Sequence, residues 1–216
     1  MTTYLLHGFA QSGNCFKVAF YLNAAGLPWQ ATMVDFGANL TRDPHWRESV
    51  NPMGEAPVLE IDGERLSQSG AILTRLAEAT GKFAPKGEAE RFEALRWILF
   101  DNHKFTSNLA VYRWMRCFAP KTPDPAVMAF LKARAEASLA VGEKHFTEHA
   151  FAAAARPTIA DFSMCGYLFF PADELGFDLA ADYPAIHAWT ERLKAIPGWK
   201  DPYEMLPSAN MPRRVD

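Results

Sequence analysis

Pro57-Val58-Leu59-Glu60-Ile61-Asp62-Gly63-Glu64-Arg65-Leu66-Ser67-Gln68-Ser69 decides the fold class of this 216-residue chain. Two short runs with apolar members flank Asp62-Gly63, a dipeptide suited to the tight turn between antiparallel strands, so the stretch predicts a hairpin. A helix follows from Ser69 to Thr80, where Ile72, Leu73, Leu76 and Ala77 recur at helical spacing and Gly81 stops it. Toward the N-terminus, Asp43-Pro44 opens a short helical or irregular segment. Before it, Gln30–Phe36 reads as a strand with Ala31, Met33 and Asp35 sharing a face. A helix over Cys15–Ala25, with Phe16, Ala19, Phe20 and Leu22 on one side and Gly26 at its end, follows the short strand Tyr4–His7. The order is β-α-β-α-β-β-α. Its first strand, helix and second strand form a crossover unit, which predicts a small mixed sheet with helices on its faces.

Toward the C-terminus the texture changes. Of 13 glycines, 8 lie in residues 1–82, and beyond the Gly- and Pro-punctuated segment Gly81–Gly87 the chain reads as long amphipathic helices. Glu88–Phe118 suits a kinked helix with Phe92, Leu95 and Leu99 spaced for one face. Asp124 caps a helix from Pro125 toward Glu148, with Leu131, Ala135, Leu139 and Phe146 inward. Thr158-Ile159-Ala160-Asp161 has the form of a helix-start capping box, and Ile159, Phe162, Gly166 and Phe169 make the stripe behind it. Pro184–Ile196 is a further helix, and the tail beyond Pro207 is expected to be mobile.

Composition narrows the function. Twenty-two Lys and Arg against 25 Asp and Glu leave a net charge of −3, with 49% hydrophobic residues. Such a chain buries a core and has no excess of cations for a nucleic-acid backbone. Apolar runs fall short of the roughly 18 residues that span a bilayer, and Met1–Gly8 lacks the basic and apolar regions of a signal peptide. Cys15, Cys117 and Cys165 are odd in number and widely spaced, without a Cys-x-x-Cys pair. A soluble, cytoplasmic protein is the expectation.

Three places carry candidate chemistry. The polar turn Gln11-Ser12-Gly13-Asn14 brings Ser12 and Cys15 to the start of a helix, where N–H groups and the helix dipole favour an anion. Either residue there stabilises an anion or, for Cys15, becomes one; an ordinary helix cap accounts for the same residues. Ala56-Pro57 opens a strand with a proline. If that bond is cis, the Ala56 backbone faces outward as an edge for an extended peptide, and a trans proline at a strand start is the alternative. Ser69, after Gln68, is placed to cap its helix and to present N–H groups to a carboxylate. His145 and His149 lie one helical turn apart without a third ligand, so they read as a solvated face and no metal is expected. Trp97, Phe100, Phe105, Tyr112, Trp114 and Phe118 read mainly as core, with room for one or two in an apolar cleft.

The order of these pieces resembles the cytosolic glutathione transferases along nearly the whole chain. The residues responsible are Ser12-Gly13-Asn14-Cys15-Phe16-Lys17-Val18, Ala56-Pro57-Val58-Leu59, Leu66-Ser67-Gln68-Ser69-Gly70-Ala71-Ile72 and Pro157-Thr158-Ile159-Ala160-Asp161-Phe162. The resemblance implies a thioredoxin-like βαβαββα domain over 1–81, a linker over 82–86 and an all-helical domain over 87–216. It implies a homodimer with glutathione as cosubstrate and a detoxification role. Ser12 matches the serine of the bacterial, theta-like and zeta-like members, with Asn14 or the Cys15 N–H in support. Ala56, before Pro57, would pair with the cysteinyl backbone of glutathione, and Gln68 and Ser69 would bind its γ-glutamyl end. An electrophile pocket between the domains would take Phe9, Phe36, His103, Phe105 and Tyr112, and Asp101 and Asn102 are candidates to complete a partner chain's site.

The implied activity is attack of a glutathione thiolate on an apolar electrophile. A glutathione-dependent reductase or lyase using Cys15, and a non-enzymatic binding or dimerisation module of the same fold, are the alternatives. Glu55 stands where relatives often carry a basic or amide residue, an expected weakening of ligand binding. Gln68 replaces the frequent glutamate and so removes a counter-charge for the ligand's amino group.

Overall fold

Strands β1 (Tyr4–Gly8), β2 (Trp29–Met33), β3 (Val58–Ile61) and β4 (Glu64–Ser67) form one mixed sheet in the order β2-β1-β3-β4. β1 runs parallel to β2 and antiparallel to β3, and β3 antiparallel to β4. Asp62 and Gly63 both take left-handed backbone, with φ of 50° and 91°, as a two-residue turn matching the twist of its strands requires. Residues 2–214 are described by the computed structural model. They divide into a unit containing the chain up to Ala84 with Ile196–Met211, and a unit of Pro85–Ala195 with the segment from Pro212.

In the first unit, helices α1 (Gly13–Ala24), α2 (Pro44–Ser49) and α3 (Ser69–Thr80) accompany the sheet. Rather than presenting one apolar face, α1 is buried on all sides from Cys15 to Leu22. Gly26 and Gly81, with φ near 70°, terminate α1 and α3. β2 ends at Met33 instead of Phe36, because Asp35 leaves the sheet and its carboxylate accepts the Ala38 N–H at 3.1 Å.

The second unit begins with α4 (Gly87–Phe100) and α5 (Thr106–Cys117), joined by a π-helical turn over Asp101–Phe105. That turn interrupts the regular i→i−4 ladder within the stretch expected to form one kinked helix. Phe92, Leu95 and Leu99 share a face, but they are 64%, 48% and 59% exposed, and α4 is buried through Ala94, Trp97 and Ile98 instead. α6 (Pro125–Glu148) is capped by Asp124, whose carboxylate accepts the Ala126 N–H, and buries Ala135, Leu139 and Phe146. α7 (Ile159–Met164) carries the capping box of Thr158 and Asp161. Asp161 also accepts from the Ala152 N–H at 2.8 Å and Trp189 Nε1 at 3.0 Å, so the start of α7 ties together three segments of the core. The short helices α8 (Ala172–Leu175) and α9 (Leu179–Asp182) lead to α10 (Pro184–Lys194). A buried Arg113–Glu174 ion pair links α5 to α8.

The final helix, α11 (Pro202–Met205), belongs to the first unit. The tail beyond it is held rather than mobile as far as residue 214, the last residue described. Gln11 Nε2 donates to the Ala209 carbonyl and Gln11 Oε1 accepts the Ala209 N–H, both at 3.0 Å. In the second unit Arg214 donates to the Met115 and Ala119 carbonyls at the end of α5, where a cation meets the negative end of the helix dipole.

Candidate active site

Ser12 is the N-cap of α1. Its backbone is extended (φ −94°, ψ 112°) and its Oγ accepts the Cys15 N–H at 3.2 Å. The hydroxyl oxygen therefore lies at the positive end of a 12-residue helix. Cys15, one turn on, is fully buried. Its sulfur packs against Gly8, where an added methyl would stand 3.0 Å from both Cβ and Sγ. Burial pushes the thiol up to about 11 against the smaller opposing pull of hydrogen bonds with Ser12 and Phe9. Burial works against the expectation of Cys15 as a nucleophile, because desolvation of the thiolate outweighs the hydrogen bonds at the helix N-terminus.

Asn14 lies on the first turn of α1, and Ser69 opens α3. Ser69 Oγ donates to Asn14 Oδ1 at 3.4 Å, so the two helix starts converge. Ser69 is the first helical residue rather than the cap; Gln68 holds the cap position with left-handed backbone (φ 70°) and makes no side-chain cap bond. Gln68 Nε2 instead donates to Glu55 Oε2 at 2.8 Å. The Ala56–Pro57 bond is cis. Asn51, buried beneath this segment, donates to the Glu55 carbonyl at 2.8 Å and accepts the Met53 N–H at 3.1 Å. Bonds between segments thus join Asn14 to Ser69 and Gln68 to Glu55, while Ser12 caps the helix on whose first turn Asn14 lies.

The residues expected to line an electrophile pocket separate into two groups. Phe9 and Phe36 stack, with ring centroids 5.1 Å apart and planes at 17°. Phe105 and Tyr112 are core residues of the helical unit: Phe105 packs against Gly142, and Tyr112 lies over Gly176 and beside Phe177. The π turn accounts for this, since an extra residue rotates the following face by about 100°. His103 is exposed on that turn. Asp101 is fully buried and accepts from Thr106 Oγ1 at 2.6 Å and Ser163 Oγ at 2.7 Å, a structural role in place of the expected outward one, whereas Asn102 is exposed. His145 is half-buried on Trp97 rather than solvated, and its ring stacks on His149.

Two features of the site were not foreseen from the residues. Gln11 clamps the tail to the loop that holds Ser12, supported by the Ala10 N–H donating to the Pro207 carbonyl at 2.9 Å. Gly37, beside Phe36, leaves room for the Asn210 carbonyl, into which a methyl group would collide. Asn51 is the second feature. Its only sequence signal is an Asn-Pro pair, which marks a turn without showing which backbone groups the amide serves.

The crossover, the hairpin, the closing helix and the proline-led β3 make the first unit thioredoxin-like, and the second unit is helical. A family model described as Glutathione S-transferase, N-terminal domain, matches residues 11–79, and one described as Glutathione S-transferase, C-terminal domain, matches residues 106–197. The chain belongs to the glutathione S-transferase family. It is 31% identical to maleylacetoacetate isomerase of Rhizobium meliloti (strain 1021), over 82% of this chain and 85% of that protein. It is 27% identical to disulfide-bond oxidoreductase YfcG of Escherichia coli (strain K12), over 88% and 89%. The crystal structure of a glutathione S-transferase from Pseudomonas fluorescens Pf-5 matches it with a TM-score of 0.83 at 32% identity, covering 93% of this chain and 98% of that one. Among the described residues, no helix is long and apolar enough to cross a membrane.

Proposed function

We propose that this chain is a serine-type glutathione transferase that holds the glutathione thiol as a thiolate for attack on an apolar electrophile. The observation that carries the reading is Ser12 Oγ at the N-terminus of α1, one turn from a cysteine whose own thiol is fully buried. Ser12 donates its proton toward the ligand sulfur while the first-turn N–H groups add positive potential. Lowering a thiol by about 2 pK units takes ~2.7 kcal/mol of preferential stabilisation, within reach of one hydroxyl donor and a helix end together. The Ala56 backbone pairs with the cysteinyl residue of glutathione, Asn14 supports the loop, and Ser69 with the start of α3 takes the γ-glutamyl carboxylate. Phe36, half-buried and stacked on the buried Phe9, offers an apolar surface to the electrophile. Catalysis then rests on positioning and on stabilising the thiolate.

A second copy completes the assembly in this reading. The exposed face of Phe92, Leu95 and Leu99 is an apolar surface available to a homodimer.

The relative named maleylacetoacetate isomerase favours a variant of the same chemistry, in which the thiolate adds reversibly to a conjugated double bond and leaves after rotation. The relative named disulfide-bond oxidoreductase favours thiol-disulfide exchange carried by glutathione itself, since Cys15 is inaccessible. Calorimetric titration with glutathione, paired with thiolate absorbance of the bound ligand near neutral pH, tests the common core. Binding in the micromolar-to-millimolar range with a thiolate signal that disappears in Ser12→Ala supports it, whereas absence of binding overturns it. Binding without turnover over a broad electrophile panel would identify a ligand-binding module.

A further inference from the structure

The bond between Gln68 and Glu55 changes the meaning of both residues. Read separately, Gln68 lacks a negative charge and Glu55 carries one in an unwelcome place. In the folded chain they touch: Gln68 Nε2 donates to Glu55 Oε2 at 2.8 Å. The carboxylate therefore stands beside Gln68, next to the start of α3 and Ser69.

Glutathione ends in a γ-glutamyl group whose one carbon bears both a carboxylate and an ammonium. A site for that end needs donors for the first and acceptors for the second. Ser69 and the N–H groups of α3 are donors. The Gln68 side chain is a neutral amide whose nitrogen is already engaged with Glu55, so it supplies no full negative charge. Glu55 does, and a charge-assisted bond to an ammonium is stronger than one from an amide oxygen.

The position of Glu55 is prepared at both ends. Its carbonyl accepts from the buried Asn51 amide, and its carboxylate from Gln68. A side chain already held loses less freedom on binding a ligand. The left-handed backbone of Gln68, unusual for a residue with a side chain, occurs at this same junction.

We infer that Glu55 is the acceptor for the α-ammonium of the bound ligand, and that the site selects a free, zwitterionic γ-glutamyl terminus. The inference rests on glutathione occupying the start of α3, as proposed above. Gln68 positions the Glu55 carboxylate and contributes a neutral acceptor, so the counter-charge comes from residue 55 across the hydrogen bond.

The test compares two ligands, glutathione and glutaryl-cysteinyl-glycine, which is the same molecule without the amino group. Titration calorimetry on the full-length protein and on Glu55→Gln gives four dissociation constants. Glutamine keeps the size of the side chain and an oxygen for Gln68, so only the charge is removed. The expected result is a loss of about tenfold or more for glutathione in Glu55→Gln, with the deamino ligand unchanged within about twofold. Equal losses for both ligands would reduce Glu55 to a structural role, and unchanged or tighter glutathione binding would make it neutral or repulsive; either overturns the inference. Failure of the unaltered protein to bind either ligand overturns the underlying glutathione reading and the inference with it. Ser69→Ala serves as the contrast, expected to weaken both ligands alike.

Discussion

Ser69 Oγ and Asn14 Oδ1 meet at 3.4 Å, joining the first turn of α3 to the first turn of α1. These residues are 55 apart in the chain, yet the bond aligns two helix N-termini on one side of the sheet. Each end brings N–H groups without intrahelical partners and a partial positive charge. The arrangement suits a ligand that is anionic at two separated points, a thiolate near Ser12 and a carboxylate near Ser69.

Cys15 is expected to resist thiol reagents in the native protein. Its thiol is raised by burial from an ordinary value near 9 to about 11. The unfolded chain therefore loses this proton first as pH rises. The stability that the buried thiol contributes is complete below pH 9 and falls away through pH 11, by about 2–3 kcal/mol in all. Urea unfolding of the wild type and Cys15→Ala from pH 8 to pH 11 isolates the effect, because other titrating groups are common to both. A wild-type curve parallel to that of Cys15→Ala would refute it. Activity of Cys15→Ala near neutral pH is expected within about threefold of wild type, since the sulfur is absent from the site.

The tail clamp predicts a local loss of protection. Gln11→Ala removes two hydrogen bonds to the Ala209 backbone, each of which typically contributes about 1 kcal/mol. Hydrogen exchange at the Ala209 amide is expected to accelerate by about tenfold or more, while amides in β1 and β3 keep their rates. Gly37→Ala acts on the same segment sterically, through collision with the Asn210 carbonyl, and is expected to destabilise by about 1–3 kcal/mol.

Phe36 and Phe105 are expected to respond differently to truncation. Phe36→Ala leaves the fold and the glutathione dissociation constant near wild type and raises KM for an apolar electrophile several-fold. Phe105→Ala removes a fully buried ring packed on Gly142 and costs about 3–5 kcal/mol. Thermal unfolding together with steady-state kinetics separates the two. A large drop in melting temperature for Phe36→Ala would remove it from the electrophile surface.

The exposed face of α4 gives an assembly prediction. Leu95→Glu with Leu99→Glu places two charges on an apolar surface that α4 does not bury in its own unit. Sedimentation velocity is expected to show a dimer for the wild type and a monomer for the double variant, with circular dichroism unchanged. A wild-type monomer would refute the proposed homodimer.

Much of the fold was legible because local chemistry specifies it. Asp62-Gly63 supplies the left-handed turn, Asp124 and Pro125 start α6, Gly81 stops α3, and Thr158 with Asp161 closes its own capping box. The residues of the candidate site were legible in the same way, as polar side chains beside helix starts and a proline before a strand. Their functional meaning was less so. The sequence places Cys15 at a helix N-terminus, but the neighbours that desolvate it are brought up by the fold. Phe92, Leu95 and Leu99 define a face without saying which side of α4 meets the core.

Local residue chemistry marked the hairpin turn, the stop of α3 and the capped starts of α6 and α7, because caps and turns act over three or four residues. Packing between distant segments buries the Cys15 thiol and so pushes it up, lets Gln11 hold the tail, and sets Glu55 against Gln68. Those outcomes depend on desolvation and on hydrogen bonds between residues 13 to 198 positions apart, which exist only once packing has brought the segments together.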